Sequence, residues 1–185
     1  MSNINIPAGT WQIDPSHSGV NFSVRHMMVS KVRGSFGSFN GTIAIADDVL
    51  DSSVEATIDV ASVHTSDNTR DEHLRSADFF DVAAYPAITF LSTKLEKAGD
   101  DYRLTGDLTI KGTTRRVTLD LEVGGLGQDP WGNTRLGVSA SASLNRKDFG
   151  LTWNAPLETG GVLVGDKISL DLEVEAVLQS APVPA

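Results

Sequence analysis

Four histidines, His17, His26, His64 and His73, are the side chains best suited to proton transfer or metal binding in this chain. Two imidazoles reach one ion at i, i+4 on a helix or as His-x-His on a strand, and neither spacing occurs. Asp71 and His73 would make an acid–base pair, but residues i and i+2 of a helix do not face one another. Capping a helix and pinning it to the rest of the fold suits Asp71, His73, Arg75 and Asp78 better. Arg70 or Arg75 could meet a diphosphate or quinone headgroup, against a solvated salt-bridge role. His26 continues the apolar parity of Val20, Phe22 and Val24, which places it on a dry face and predicts it buried and hydrogen-bonded.

Cysteine is absent, so no thiolate nucleophile, disulfide or cysteine metal ligand is available. Gly124-Gly125-Leu126-Gly127 lacks the Gly-x-Gly-x-x-Gly pattern, and Pro130 stands where a helix would have to begin. Walker, Gly-x-Ser-x-Gly and EF-hand patterns do not occur. The residues therefore predict no catalytic side chain, no cofactor and no metal site.

The elements that must position these residues are strands. Val20–Val24, Val54–Val60, Tyr102–Ile110, Val117–Val123, Leu136–Leu144 and Ile168–Ala176 alternate apolar and polar side chains with period two, giving each run one dry face and one wet face. Val32–Ile45, sharply bent at its glycines, and Ala87–Leu95 bring the count to about eight strands. Asp47-Asp48, Gly99–Asp101 and Lys111–Thr114 are hairpin turns, and Gly124–Asn133 reads as a longer connection. Thr69–Phe80 reads as one short helix with Thr69 as a cap. The pattern predicts one domain over 1–185, with 1–9 and 180–185 frayed. Period alone fits a barrel or a sandwich. If Val138 and Leu144 point inward, so do Ala140 and Ala142, and Ala44 and Ala56 are further small residues assigned to dry faces. Such residues leave volume that Phe22, Phe36, Phe39, Phe90 and Trp153 fill, or that a guest occupies.

A formal charge of −9 repels phosphate backbones, which argues against nucleic acid as a partner. Arg115-Arg116 and Arg146-Lys147 are short basic pairs near carboxylates, so no polybasic membrane patch is read from them. No run approaches the ~20 apolar residues of a membrane span, and the first residues carry no leader pattern. A cytoplasmic protein is the expectation, with a homodimer left open.

Five short motifs add a resemblance. Trp11–Met27 with Val29–Phe36, Arg70–Asp81 with Tyr85-Pro86, Leu108–Arg115, Arg146–Leu151 with Trp153-Asn154, and Val164–Ile168 resemble, in order, the signatures of the YceI-like family. The resemblance implies an all-β fold, an eight-stranded antiparallel lipocalin-like barrel with one short helix. It also implies an apolar tunnel that takes a polyisoprenoid, a prenylquinone or a similar amphiphile. Family members are often exported to the periplasm, and this sequence departs from them in lacking a leader pattern. By alternation, the candidate lining is Phe22, Val24, Val32, Phe36, Phe39, Ile43, Ile58, Phe90, Leu108, Val138, Ala140, Leu144 and Trp153. Met27, flexible and polarizable, joins them off the strand's parity, which requires a bulge or a strand end. Binding and carriage of an apolar molecule is the leading reading. An enzyme modifying lipids or secondary metabolites in the cavity is the alternative, and its mark would be an inward His26 beside a carboxylate. A filled barrel acting in protein contacts or stress response would have no cavity.

Overall fold

A computed structural model describes residues 4–158 and 161–179. Its strands are β1 (Gly9–Ile13), β2 (Gly19–His26), β3 (Ser30–Phe36), β4 (Phe39–Ile45), β5 (Ser53–Asp59), β6 (Val63–His64), β7 (Ala87–Ala98), β8 (Asp101–Ile110), β9 (Thr113–Gln128), β10 (Thr134–Asn145) and β11 (Val164–Leu178), with one α-helix, α1 (Asn68–Arg75). Neighbours run antiparallel in the order β1-β4-β5-β7-β8-β9-β10-β11, and β11 returns to β1, which closes an eight-stranded barrel. Closure removes the unpaired edges that an open sheet would leave.

Two walls of the barrel are bent strands. After a 3-10 turn at Pro15–His17, β2 takes over from β1 along β11, so that Trp11 faces Leu178 while Phe22 faces Leu170. The expected bend within Val32–Ile45 is a complete break at Gly37-Ser38, from which β3 and β4 diverge. Beyond that break β3 pairs with β6 through Ser35–His64 and Phe36–Val63. Helix α1 follows β6 and covers this end of the barrel, called here the helix end.

Several elements differ from their sequence reading. The helix stops at Arg75 and is capped by Asp67, whose carboxylate accepts from the Arg70 backbone N–H at 3.1 Å, instead of by Thr69. Asp67 wins because an Asp side chain satisfies the free N–H groups of a first turn two residues earlier. The Gly124–Asn133 connection shrinks to the residues after Gln128, because β9 continues past a bulge opposite Gly137/Val138. That bulge turns Leu126 onto the buried Trp11 cluster. β1, with five residues, and β6, with two, are too short for periodicity to register. Ala44 is exposed, since Ile43 and Ile45 take the inward parity of β4. Residues 180–185 lie outside the described residues, while Ile6 packs on the barrel and the Pro7 carbonyl accepts from Trp11 Nε1 at 3.1 Å.

Most of the buried apolar residues form two clusters, one at each end. Phe36, Val60, Val63, Phe79, Ile88, Leu108, Ile110, Phe149 and Leu151 fill the helix end, and Trp11, Ile43, Leu136 and Ala176 fill the far end. An ionic clamp braces the far end. Arg135 donates to Asp14, Asp129 and Glu175, each at 2.9 Å. Hydrogen bonds from Ser16, Arg135 and His17 hold Asp14 well below the usual carboxylate range. Burial alone would raise Asp129, but hydrogen bonds from Arg135, Asn133 and Trp131 outweigh it and bring the group down to about 2.

Depressed carboxylates stabilise the fold above their unfolded value of about 4, and the contribution is lost as pH falls through the folded values. The stability gap between the parent and Arg135→Ala is therefore widest at neutral pH and closes as pH falls toward 2. Denaturant unfolding at a series of pH values measures this. A gap independent of pH would mean that the clamp does not act through these ionisations.

Candidate apolar ligand site

Between the two buried clusters lies a cavity of about 430 Å³. Its walls are almost wholly aliphatic and aromatic, contributed by every strand of the ring. Val20, Phe22, Val24, Leu170, Leu172 and Val174 point inward yet are only half-buried, because what they face is void. An eight-stranded barrel is just wide enough to be filled by side chains or to hold one small ligand. Here the middle layers carry medium and small residues, such as Val123, Val138, Ala140 and Ala56, while the large rings gather toward the ends.

Two glycines keep the middle open. Phe22 faces Gly34 across β2–β3, and a Cβ at Gly34 would collide with the ring. Phe90 lies over Gly106 in the same way, and a Cβ there would also stand 2.7 Å from the Leu91 carbonyl oxygen. Each ring therefore lies against the wall, where any side chain on the glycine would push it into the cavity.

The lining residues at the helix end include His26, Thr65, Arg70, His73 and Arg146, whereas the polar lining toward the far end is limited to uncharged side chains such as Ser18 and Ser52. Most have their bonding committed to structure. Asp71 is buried and accepts from the Thr65 N–H at 2.8 Å and hydroxyl at 2.6 Å, with His64 Nδ1 3.4 Å away. Burial raises its pKa, but the Thr65 hydrogen bonds and the charges of His64 and Arg75 prevail and hold it below the ordinary range. Arg70 donates to the Thr65 hydroxyl and carbonyl, and Arg75 to the Ala61 and Val63 carbonyls. These bonds tie α1 to the segment 61–65: for Arg75 this is the pinning role read from the sequence, and Arg70, read there as a headgroup contact or a solvated salt bridge, shares it.

Arg146, also buried, donates to the carbonyls of Leu151, Trp153, Val164 and Gly165. Burial lowers its pKa and Asp166, 3.8 Å away, opposes that. One guanidinium thus organises the connection that carries Trp153 and Leu163 to the cavity.

The histidines do not converge. His17 meets Asp14 at 2.8 Å at the far end, and His73 Nε2 meets Asp78 at 2.9 Å with its ring edge-on to Phe79 and Trp153. His73 and Asp71 therefore have different partners. His26 reaches the lining as its parity predicts, but it is half-buried and its side chain has no hydrogen-bond partner among the described residues. Its neighbourhood is the apolar cavity instead of a packed polar core, which is why the expected hydrogen bond is missing. No group of three or more metal-binding side chains occurs among the described residues. Among the described residues no helix is long and apolar enough to cross a membrane.

Phe22, Val24, Val32, Phe36, Phe39, Ile43, Ile58, Phe90, Leu108, Val138, Ala140, Leu144 and Trp153 all border the cavity. Met27 does not. It sits in the β2–β3 turn at φ 53°, where the strand has ended and the side chain is exposed. Sequence reasoning passed over Leu121, Val123, Leu170, Leu172 and Val174, although the alternation of β9 and β11 marks them. Ile6 and Val49, outside any strand, carried no such signal.

A closed eight-stranded, lipocalin-like barrel around an apolar cavity is the class that this fold and site define. Residues 11–176 match the YceI-like domain, and the chain belongs to the YceI-like family. It is 39% identical to protein YceI of Escherichia coli (strain UMN026) over 175 residues, covering 93% of this chain and 88% of that protein. BcnA of Burkholderia cenocepacia superposes with a TM-score of 0.75 at 25% identity, over 88% of this chain and 98% of BcnA. A polyisoprenoid binding domain from Saccharophagus degradans, implicated in plant cell wall breakdown, superposes at 0.70. It shares 17% identity, covers 91% of this chain and 98% of that domain, and so speaks to the fold alone.

Proposed function

We propose that this protein binds a long apolar molecule, a polyisoprenoid, prenylquinone or similar amphiphile, inside the barrel and carries or sequesters it. The observation that carries the reading is the apolar cavity held open between two packed ends. Each buried CH₂ contributes roughly 0.8 kcal/mol, so about a dozen buried carbons supply roughly 10 kcal/mol gross. Ordering the chain and losing its translational freedom offset several kcal/mol of that. Affinity then depends on the length of chain that the walls enclose. Polar lining at the helix end suits a headgroup there, and the Saccharophagus degradans domain is a barrel of this shape described as binding polyisoprenoids. The mark set for the enzyme alternative is missing, since His26 enters the cavity without a carboxylate partner among the described residues; the histidine–carboxylate pair at the lining is His73 with Asp78, at the helix end.

Titration with prenyl alcohols of increasing chain length, read by displacement of a fluorescent apolar probe, tests the reading. Affinity rises with each added unit until the cavity is full and then levels off. No uptake at any length would refute it.

A further inference from the structure

The β2–β3 hairpin carries a feature that neither the fold nor the cavity requires. Its tip is apolar and open to solvent: Met27 is 43% exposed, Met28 60% and Val29 80%. Met27 and Met28 occupy the two central positions of the turn at φ 53° and 60°, closed by the Val29 N–H donating to the His26 carbonyl. Such a turn favours Asn-Gly, because Gly lacks the Cβ that is strained at positive φ and the short polar side chain of Asn offsets the strain by local hydrogen bonding. Two methionines are held there against backbone preference, which turn formation does not explain.

The outer face behind the tip is basic. Arg25 stands directly opposite Lys31 across the hairpin, with Arg33 two residues further along β3. Lys167, exposed on the neighbouring β11, precedes the cavity-lining Ile168 that pairs with Val24. Like charges opposite one another weaken a ladder, so this row does not serve the sheet. None of the four makes an ion pair or side-chain hydrogen bond among the described residues; Asp166, close by in sequence, is engaged by Arg146 and Lys147. Every other Lys and Arg of the chain has a carboxylate, carbonyl, hydroxyl or aromatic partner. In a chain of net charge −9, the cations left free are gathered beside one apolar tip.

We infer that this hairpin docks the barrel on an anionic lipid bilayer, Met27, Met28 and Val29 entering the headgroup region and Arg25, Lys31, Arg33 and Lys167 lying against its negative surface. A nucleic acid or an acidic protein would satisfy the charges but would leave the apolar tip unexplained; a bilayer satisfies both. His26, Val24 and Val32 of the same hairpin line the cavity, so docking would bring one end of the lining to the lipid. The inference rests on the apolar-ligand reading for its purpose, whereas the contact itself stands on the hairpin alone. Three apolar side chains and four charges make a weak, reversible contact that salt weakens.

The test is co-sedimentation with vesicles of phosphatidylcholine alone and of phosphatidylcholine mixed with phosphatidylglycerol. The protein is expected on the anionic vesicles only, and to be released by raised salt. Met27→Asn with Met28→Gly, which suits the turn better, and Lys31→Glu with Arg33→Glu should each lower binding about tenfold or more. Lys94→Glu with Lys97→Glu, on the exposed face of β7, makes the same charge change elsewhere and should leave binding within about twofold. Failure to bind anionic vesicles, equal loss with the β7 variant, or retention of a nucleic acid in place of vesicles would overturn the inference. Probe uptake in vesicle-free solution, measured on the same variants, reports separately on the apolar-ligand reading.

Discussion

The expected result of Ala140→Phe is a barrel that melts no lower than the parent and has lost its apolar ligand. Ala140 sits on β10 opposite Leu121 of β9 and Leu172 of β11, and all three border the cavity. A benzyl group at this position projects into void, where it gains dispersion contacts without displacing packed neighbours. Uptake should fall at least about tenfold, because the ring occupies volume that the ligand needs. Stability and binding then move in opposite directions, which a simple folding defect cannot imitate. Thermal melting and probe displacement on the same sample measure both. A melting temperature several degrees lower would mean that the middle of the barrel is packed, since overfilling a dense core costs stability.

Arg146→Met should destabilise the protein by about 3 kcal/mol or more. The substitution keeps an apolar stem of similar length but leaves the carbonyls of Leu151, Trp153, Val164 and Gly165 without their donor. Each buried acceptor left unsatisfied costs roughly 1–3 kcal/mol, and relaxation of the segment recovers part of the sum. Arg146→Lys should recover little, because one ammonium does not reach acceptors on several sides of a planar fork. Denaturant unfolding of both variants measures the effect. Exchange of the amide hydrogens of Leu151 and Leu163, which donate to Arg146 and Ala155 carbonyls, shows whether the loss is centred on this connection. A Lys variant as stable as the parent would reduce Arg146 to a generic charge.

The strands and their inward faces were legible because a half-buried strand writes its dry face into the sequence at every second residue, whereas closure into a barrel followed only from the family resemblance. Phe22 and Val24, or Val138 and Ala140, are assigned to the cavity side by parity alone. Parity ends where strands end, and Met27 shows this: a turn with positive φ at two methionines has no signature where Asn-Gly does not stand at the turn. Cavity and filled core were equally compatible with the pattern. Deciding between them needed the cross-strand pairing of Phe22 with Gly34 and the seating of Phe90 over Gly106. The Arg135 clamp was equally hidden, since its bond to Asp14 spans 121 residues and no local pattern announces it. The basic row of Arg25, Lys31, Arg33 and Lys167 is dispersed in sequence, where the adjacent charges are Arg115-Arg116 and Arg146-Lys147 instead. Those pairs are spoken for: Arg115 by the Asp148 carbonyl, Arg116 by Asp107, Arg146 by backbone carbonyls and Lys147 by Asp166.

Native mass spectrometry of the purified protein, followed by solvent extraction and mass identification of whatever is released, addresses the cavity most directly. A barrel that carries an apolar molecule flies with one stoichiometric companion, whose mass steps in isoprene units if it is a polyisoprenoid or prenylquinone, and Ala140→Phe flies empty. A parent protein that is empty as purified, and stays empty after incubation with prenylquinone, would contradict the carrier reading and put the enzyme and filled-barrel readings ahead of it.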